Sequence, residues 1–145
     1  MNRKKIMAIG FAFGIAFLFS TRGFTQSNQN LPDNIAGLFW SPKKDAKIEI
    51  FRKGNLYFGR SVWVAVPRKD LKNPVEDLRK RDLLGIELLT GFSWSDGALV
   101  DGKIYDPESG KTYDCKINKN GDNLKVRGYI GISLFGRTEI FEKVK

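Results

Sequence analysis

This sequence predicts an all-β fold: about eight antiparallel strands, wound up and down into one closed barrel. Two observations carry the expectation. Between Asp101 and Arg137 apolar and polar residues alternate strand by strand, leaving one face covered and one wet. That is the pattern of an antiparallel meander rather than of a parallel sheet. The alternating runs are also separated by short turn signals, among them Asp106-Pro107-Glu108-Ser109-Gly110 and Asn120-Gly121-Asp122-Asn123. In the first, proline presets φ, the aspartate accepts backbone N–H bonds and glycine takes positive φ; in the second, Asn-Gly is a strong hairpin signal. Eight strands in about 120 residues can close on themselves, which removes the edges that would pair with other chains.

Residues 1–26 read as an export leader. Asn2-Arg3-Lys4-Lys5 is a positive start, and Ile6 to Phe19 is an apolar stretch broken only by glycines. Such a segment directs secretion and is cut off, here between Gly23 and Ser27. The competing reading, a retained anchor, meets an apolar stretch that is short for a bilayer span. A periplasmic or secreted protein with no stable membrane span after cleavage is therefore expected. Cys115 is the one cysteine and lies far from the leader, so no lipid-anchoring cysteine is present. Residues 27–34 are polar and expected to be flexible, and 35–145 form a single barrel domain.

The strands follow in order. Ile35 to Trp40 is the first. Lys47 to Arg52 is the second, with Ile48 and Ile50 on one face, and Leu56 to Val66 is a long third strand kinked or bulged at Gly59. Pro67 interrupts the pattern. One short helix is expected around residues 73–81, with Asn73 as its cap, Pro74 at the first helical position and Glu76 completing a capping box. Lys80 and Arg81 stand at its far end, where the helix dipole favours cations. It reads as a solvated crossover, with a lid as the alternative, and Lys69, Asp70 and Lys72 read as a solvated loop. Strand pattern returns from Leu84 to Trp94, with Ile86, Leu88 and Phe92 as candidates for one face. Ala98 to Tyr105, Lys111 to Asn118, Leu124 to Ile130 and Thr138 to Val144 complete the set.

Composition and motifs exclude much chemistry. The chain has no histidine, which removes His-based triads and zinc sites built on His or paired Cys. Gly131 to Thr138 nearly matches a phosphate loop, but Arg137 replaces the lysine and no helix follows. Asp101 and Asp106, five residues apart on a strand, would face opposite ways, which argues against a paired-carboxylate site. No enzyme activity, cofactor or metal is expected. The formal charge is +9. Arg3, Lys4, Lys5 and Arg22 leave with the leader, so 21 bases remain against 16 acids. No run of like charge stands out, and nucleic acid is not an expected partner. Cys115 sits among apolar alternation partners and reads as a small buried hydrophobe.

The aromatic residues and two arginines supply the candidate ligand contacts: Trp40, Phe58, Trp63, Phe92, Tyr105, Tyr113, Arg127 and Arg137. An inward aromatic in a small barrel either fills the core or meets a ligand. Gly37-x-x-Trp40 resembles the Gly-x-Trp start of lipocalins with one residue added. There the tryptophan packs near an arginine from a late strand, a part Arg127 or Arg137 could take as a cation–π partner.

The chain also resembles the domain-of-unknown-function 2147 family of exported bacterial proteins. The matching pieces include Leu56-Tyr57-Phe58-Gly59-Arg60, Asp70-x-x-Asn73-Pro74, Leu84-Gly85-Ile86, Gly102-Lys103-Ile104-Tyr105-Asp106-Pro107, Gly110-Lys111-Thr112-Tyr113 and the stretch from Leu124 to Arg137. What the resemblance implies is export and a lipocalin-like barrel; it brings no activity. Many relatives carry cysteines near the positions of Gly54 and Leu84, which this chain lacks. Two functions stay open: a barrel binding a small apolar or amphipathic, lipid-like molecule, or an envelope structural or interaction protein with a side-chain-filled core.

Overall fold

The computed structural model describes residues 32–145; the expected leader and most of the flexible segment lie outside them. Eight strands form one closed antiparallel barrel in simple sequence order. They are β1 (Gly37–Trp40), β2 (Ala46–Lys53), β3 (Leu56–Val64), β4 (Glu87–Ser95), β5 (Ala98–Asp106), β6 (Lys111–Asn120), β7 (Asn123–Tyr129) and β8 (Arg137–Lys143). Closure is made where β1 meets β8, with Phe39 opposite Lys143 and Trp40 opposite Glu142. The Val144 amide adds a bond to the Leu38 carbonyl at 2.9 Å.

The turns that the sequence marked are built as their residues dictate. Asp106 Oδ1 accepts from the Glu108 amide at 2.9 Å, and Gly110 turns the chain with φ +71°. Gly121 takes φ +63° between Asn120 and Asn123. Because every connection is a hairpin, the loops alternate between two ends. Residues 54–55, 96–97 and 121–122 are tight turns at one end. The other end carries 41–45, 65–86, 107–110 and 130–136.

The tight-turn end is sealed. Ile35, Tyr57, Phe92, Leu99, Ile117 and Leu124 are essentially inaccessible there. Each such burial is worth about 1.5–3 kcal/mol. Ile35 belongs to a 3-10 turn, Asp33–Ile35, rather than to the first strand, and the Tyr57 hydroxyl donates to the Pro32 carbonyl at 3.1 Å. Phe92 lies flat on Gly102: a Cβ there would stand 2.3 Å from the ring. This pairing depends on two bulges in step. Gly91 (φ +69°) and Asp101 (φ +59°) each insert a residue, so inward positions jump from Leu89 to Phe92 and from Leu99 to Gly102. The period-two expectation for β4 fails for that reason. Leu89, 1% exposed, is the buried inward residue, and Leu88 packs partly buried beside it.

Three further expectations are corrected. The short helix expected around 73–81 is a 3-10 turn, Glu76–Lys80, and it lacks the expected side-chain cap. Asn73 turns inward instead, its amide bonded to Asp70 and its Oδ1 taking the Val75 amide at 2.9 Å. Asp70, read as part of a solvated loop, is completely buried. β3 also stops at Val64 and β4 starts at Glu87, leaving Val66 and Leu84 in the connection.

Candidate functional site

The long-loop end opens into a cavity of about 980 Å³ within the barrel. Inner-face residues are small where it begins. Ala46 pairs with Val64 across β2 and β3, after a register shift near Ile48 that returns Val64 to the inner face. On the opposite wall Gly128 pairs with Arg137 and Val126 with Glu139. Ile48, Leu88, Leu89, Ile104 and Phe141 line the depth, and Tyr113 projects from β6. Small inner residues leave the volume, and aliphatic neighbours make it apolar, the arrangement that small-molecule pockets share.

Polar groups gather at the rim. Arg137 pairs with Glu139 at 2.5 Å. Lys43 on the β1–β2 loop reaches Glu108 on the β5–β6 turn at 2.7 Å, and Arg68 reaches Asp45 at 3.3 Å. All three pairs are exposed and contribute at most about 1 kcal/mol each. They outline the mouth without locking it.

One side of the rim is held far more firmly. Asp70, in the 65–86 connection, accepts from the Tyr105 hydroxyl at 2.5 Å and from Asn73 Nδ2 at 2.8 Å. Arg81 adds a bond from Nε at 2.9 Å and lays its guanidinium over the Tyr105 ring at 5.9 Å. Burial works against the Asp70 carboxylate, yet the bonds from Tyr105, Asn73 and Arg81 outweigh it and hold its pKa below the usual value. Burial, helped by the Asp70 charge, pushes the Tyr105 phenol up to about 12. Gly110 presses against the same connection, since a Cβ there would stand 1.9 Å from the Lys72 carbonyl oxygen. Ser61 fixes the return of the loop: its hydroxyl donates to the Leu83 carbonyl and accepts the Gly85 amide at 3.0 Å.

The expected contact residues separate into three groups. Tyr105, Tyr113 and Arg137 line the cavity. Phe92 is sealed in the floor, away from it. Trp40, Trp63 and Phe58 lie on the outer wall, where Trp40 meets Trp63 edge to face at 5.6 Å and Phe58 stacks on Phe51 at 6.0 Å. The cation over Trp40 is Lys47, at 4.7 Å, in place of Arg127 or Arg137. Arg127 sits outside and binds loop carbonyls. The lining residues missed from sequence were aliphatic or small: Ile48, Val64, Leu89, Ile104 and Val126. Their signal is inward alternation near the long loops, visible once the two ends are told apart.

Cys115 is buried, and burial pushes its thiol up to about 12. Among the described residues no group of three or more His, Cys, Asp or Glu is placed to hold a metal ion. Nor is any helix there long and apolar enough to cross a membrane.

A closed eight-stranded meander with one sealed end and one apolar mouth is the architecture of lipocalin-like barrels. Consistent with that class, the chain aligns with protein HP1028 from Helicobacter pylori, described as belonging to the lipocalin family. The TM-score is 0.67 at 20% identity, covering 76% of this chain and 82% of that one. The chain belongs to the DUF2147 family, described as an uncharacterized protein conserved in bacteria, whose model matches residues 37–143. No curated protein matches the sequence.

Proposed function

We propose that this is an exported binding protein that holds a small apolar or amphipathic molecule in its barrel, apolar part inward and polar part at the rim. The cavity carries the reading. Its volume of about 980 Å³ suits a lipid-like ligand, and its walls offer dispersion contact with few polar partners. Tyr113, Glu139 and Arg137 stand where a polar head would emerge. The leader-like residues 1–26 support export.

Native mass spectrometry of gently purified protein, followed by titration with a dansyl-labelled fatty acid, tests the proposal. Saturable one-to-one binding, weakened by Val64→Phe inside the cavity, is the expected result. Probe that never saturates, or binding indifferent to that substitution, overturns it.

A second reading has its own support. Lys47 over Trp40 and Trp63, with Lys53 over Phe58 and Arg60 over Phe51, forms a cation–aromatic ladder on the outer wall. Such a strip suits an envelope interaction protein. An envelope partner captured by the wild type and lost on Arg60→Glu, with no cavity ligand, would favour it.

A further inference from the structure

The β7–β8 connection presents an unusual surface. Ile130, Ile132, Leu134 and Phe135 are 76%, 59%, 74% and 80% exposed, in a run without a charged residue. Left to itself, a short loop of this composition would fold its side chains onto the nearest apolar surface. Here its backbone is fixed the other way. Arg127 donates from Nε to the Ser133 carbonyl at 2.6 Å and from a terminal nitrogen to the Leu134 carbonyl at 3.1 Å. A third bond, to Thr138 Oγ1 at 2.8 Å, anchors the guanidinium. Gly136 lets the loop lie against β7, since a Cβ there would stand 2.6 Å from the Gly128 carbonyl oxygen. The result is a rigid loop with its apolar side chains turned to solvent.

The surroundings indicate what meets it. The loop stands at the open end, where Val66 and Leu71 on the 65–86 connection are each 70% exposed. The four open-end connections carry eight lysines and arginines against six acids. The closed-end turns carry Asp96 and Asp122, with Lys53, Lys119 and Lys125 flanking them, so basic charge is spread over the barrel and the exposed apolar tip is what distinguishes the open end. Lys72 and Lys80 have no acidic partner among the described residues. A protruding apolar tip on a net basic barrel, with Lys72 and Lys80 at the same end, matches the interfacial zone of an anionic bilayer, apolar outside the headgroups and negative at them.

We propose that the open end is a docking face for an anionic lipid surface. Ile130, Ile132, Leu134 and Phe135 enter the headgroup–acyl boundary, and the basic residues of the neighbouring loops meet the lipid charge. Arg127 is the positioning residue that keeps the tip turned outward. The barrel then rests with its mouth against the membrane. This goes beyond the ligand reading and does not depend on what the cavity holds.

Single-site fluorescence on the full chain tests it. Cys115 is fully buried, so Phe135→Cys and Asp122→Cys can each be labelled selectively with an NBD fluorophore at one end of the barrel. Vesicles of phosphatidylglycerol and phosphatidylcholine should blue-shift and brighten the label at position 135 severalfold. The label at 122 should stay unchanged, and phosphatidylcholine alone should give a much weaker response. Leu134→Ser with Ile132→Ser, made in the Phe135→Cys background, should weaken the position-135 response about tenfold or more without changing the melting temperature. Because the reporter is local, vesicle binding through residues 1–26 cannot imitate it. An unresponsive label at 135, equal responses at both ends, or a shift without vesicles at the concentration where light scattering detects a dimer each overturns the proposal.

Discussion

Phe92 and Val64 both face the inside of the same barrel, yet their surroundings are opposite. Phe92 rests against the bare backbone of Gly102 within a floor of buried residues such as Tyr57 and Leu99. Val64 faces Ala46 beside open volume. Both halves have the same strands, the same up-and-down order and the same inward alternation. Side-chain size and turn length separate them. Two-residue turns and large inner residues close one end, whereas small inner residues and long connections leave the other hollow. The sealed half supplies the packing energy that allows the open half to stay unfilled.

Substitutions at the floor should have the largest effect. Phe92→Ala removes a ring that nothing else can replace and should cost about 3–5 kcal/mol, read as a lower denaturant midpoint. Gly102→Ala should cost about 1–3 kcal/mol through the clash with that ring. Neither should change affinity for a cavity probe under conditions where the variant is folded. A floor variant that loses binding while keeping its fold would mean the two halves are not separable.

Next in size is the buried polar cluster at the rim. Asp70→Asn leaves Arg81 and Tyr105 without their charged partner and should cost about 2 kcal/mol. The loss should concentrate in residues 65–86, seen as faster amide exchange and proteolysis there while the floor stays protected. Uniform loosening of the barrel would show that this connection is part of the core rather than an attachment to it.

The same cluster predicts a pH window. The lowered pKa of Asp70 adds stability that is present above its ordinary value of 3.8 and lost as pH falls through the folded value. The raised pKa of Tyr105 adds stability that is complete below 10.0 and lost as pH rises toward about 12. Tyr105→Phe should therefore flatten the alkaline limb of the melting-temperature profile and also weaken the acid limb, because its bond is the largest of those that lower the Asp70 pKa, ahead of Asn73 and Arg81. An unchanged alkaline limb would place the tyrosine contribution elsewhere.

The closed half was the more legible from sequence because local rules govern it. Asn120-Gly121 specifies its turn whatever surrounds it, and Cys115 could be assigned to the core by alternation. The open half depends on choices that are not local. Asp70 looked solvent-facing because its partner Tyr105 comes from another part of the chain and Arg81 folds back from the far end of the same connection. Asn73 offered a helix cap, and the buried carboxylate outcompeted it. The aromatic candidates misled for a related reason. Alternation sends Trp40, Phe58 and Trp63 outward once the bulges are counted, and aromatic size alone does not indicate direction. Gly91 and Gly102 held the missing signal, since glycine inside a strand marks a bulge or a close approach.

The smallest effect on stability should come with the largest on binding. Val64→Phe adds several carbon atoms to an inner wall, a change that would strain a well-packed core by about 1–3 kcal/mol. At this position the added ring can enter the cavity of about 980 Å³, so the melting temperature should move little, equivalent to less than about 1 kcal/mol. The ring occupies space that an apolar ligand would use, so affinity for a dansyl fatty acid should fall about tenfold or more. Gly102→Ala adds a single carbon and Val64→Phe adds several, yet the smaller change should be the more destabilising. Measured together, the pair separates two accounts of the barrel. If both destabilise in proportion to added volume, the mouth is packed like the floor in solution. If stability falls only at Gly102 and binding only at Val64, the unfilled half is a built site.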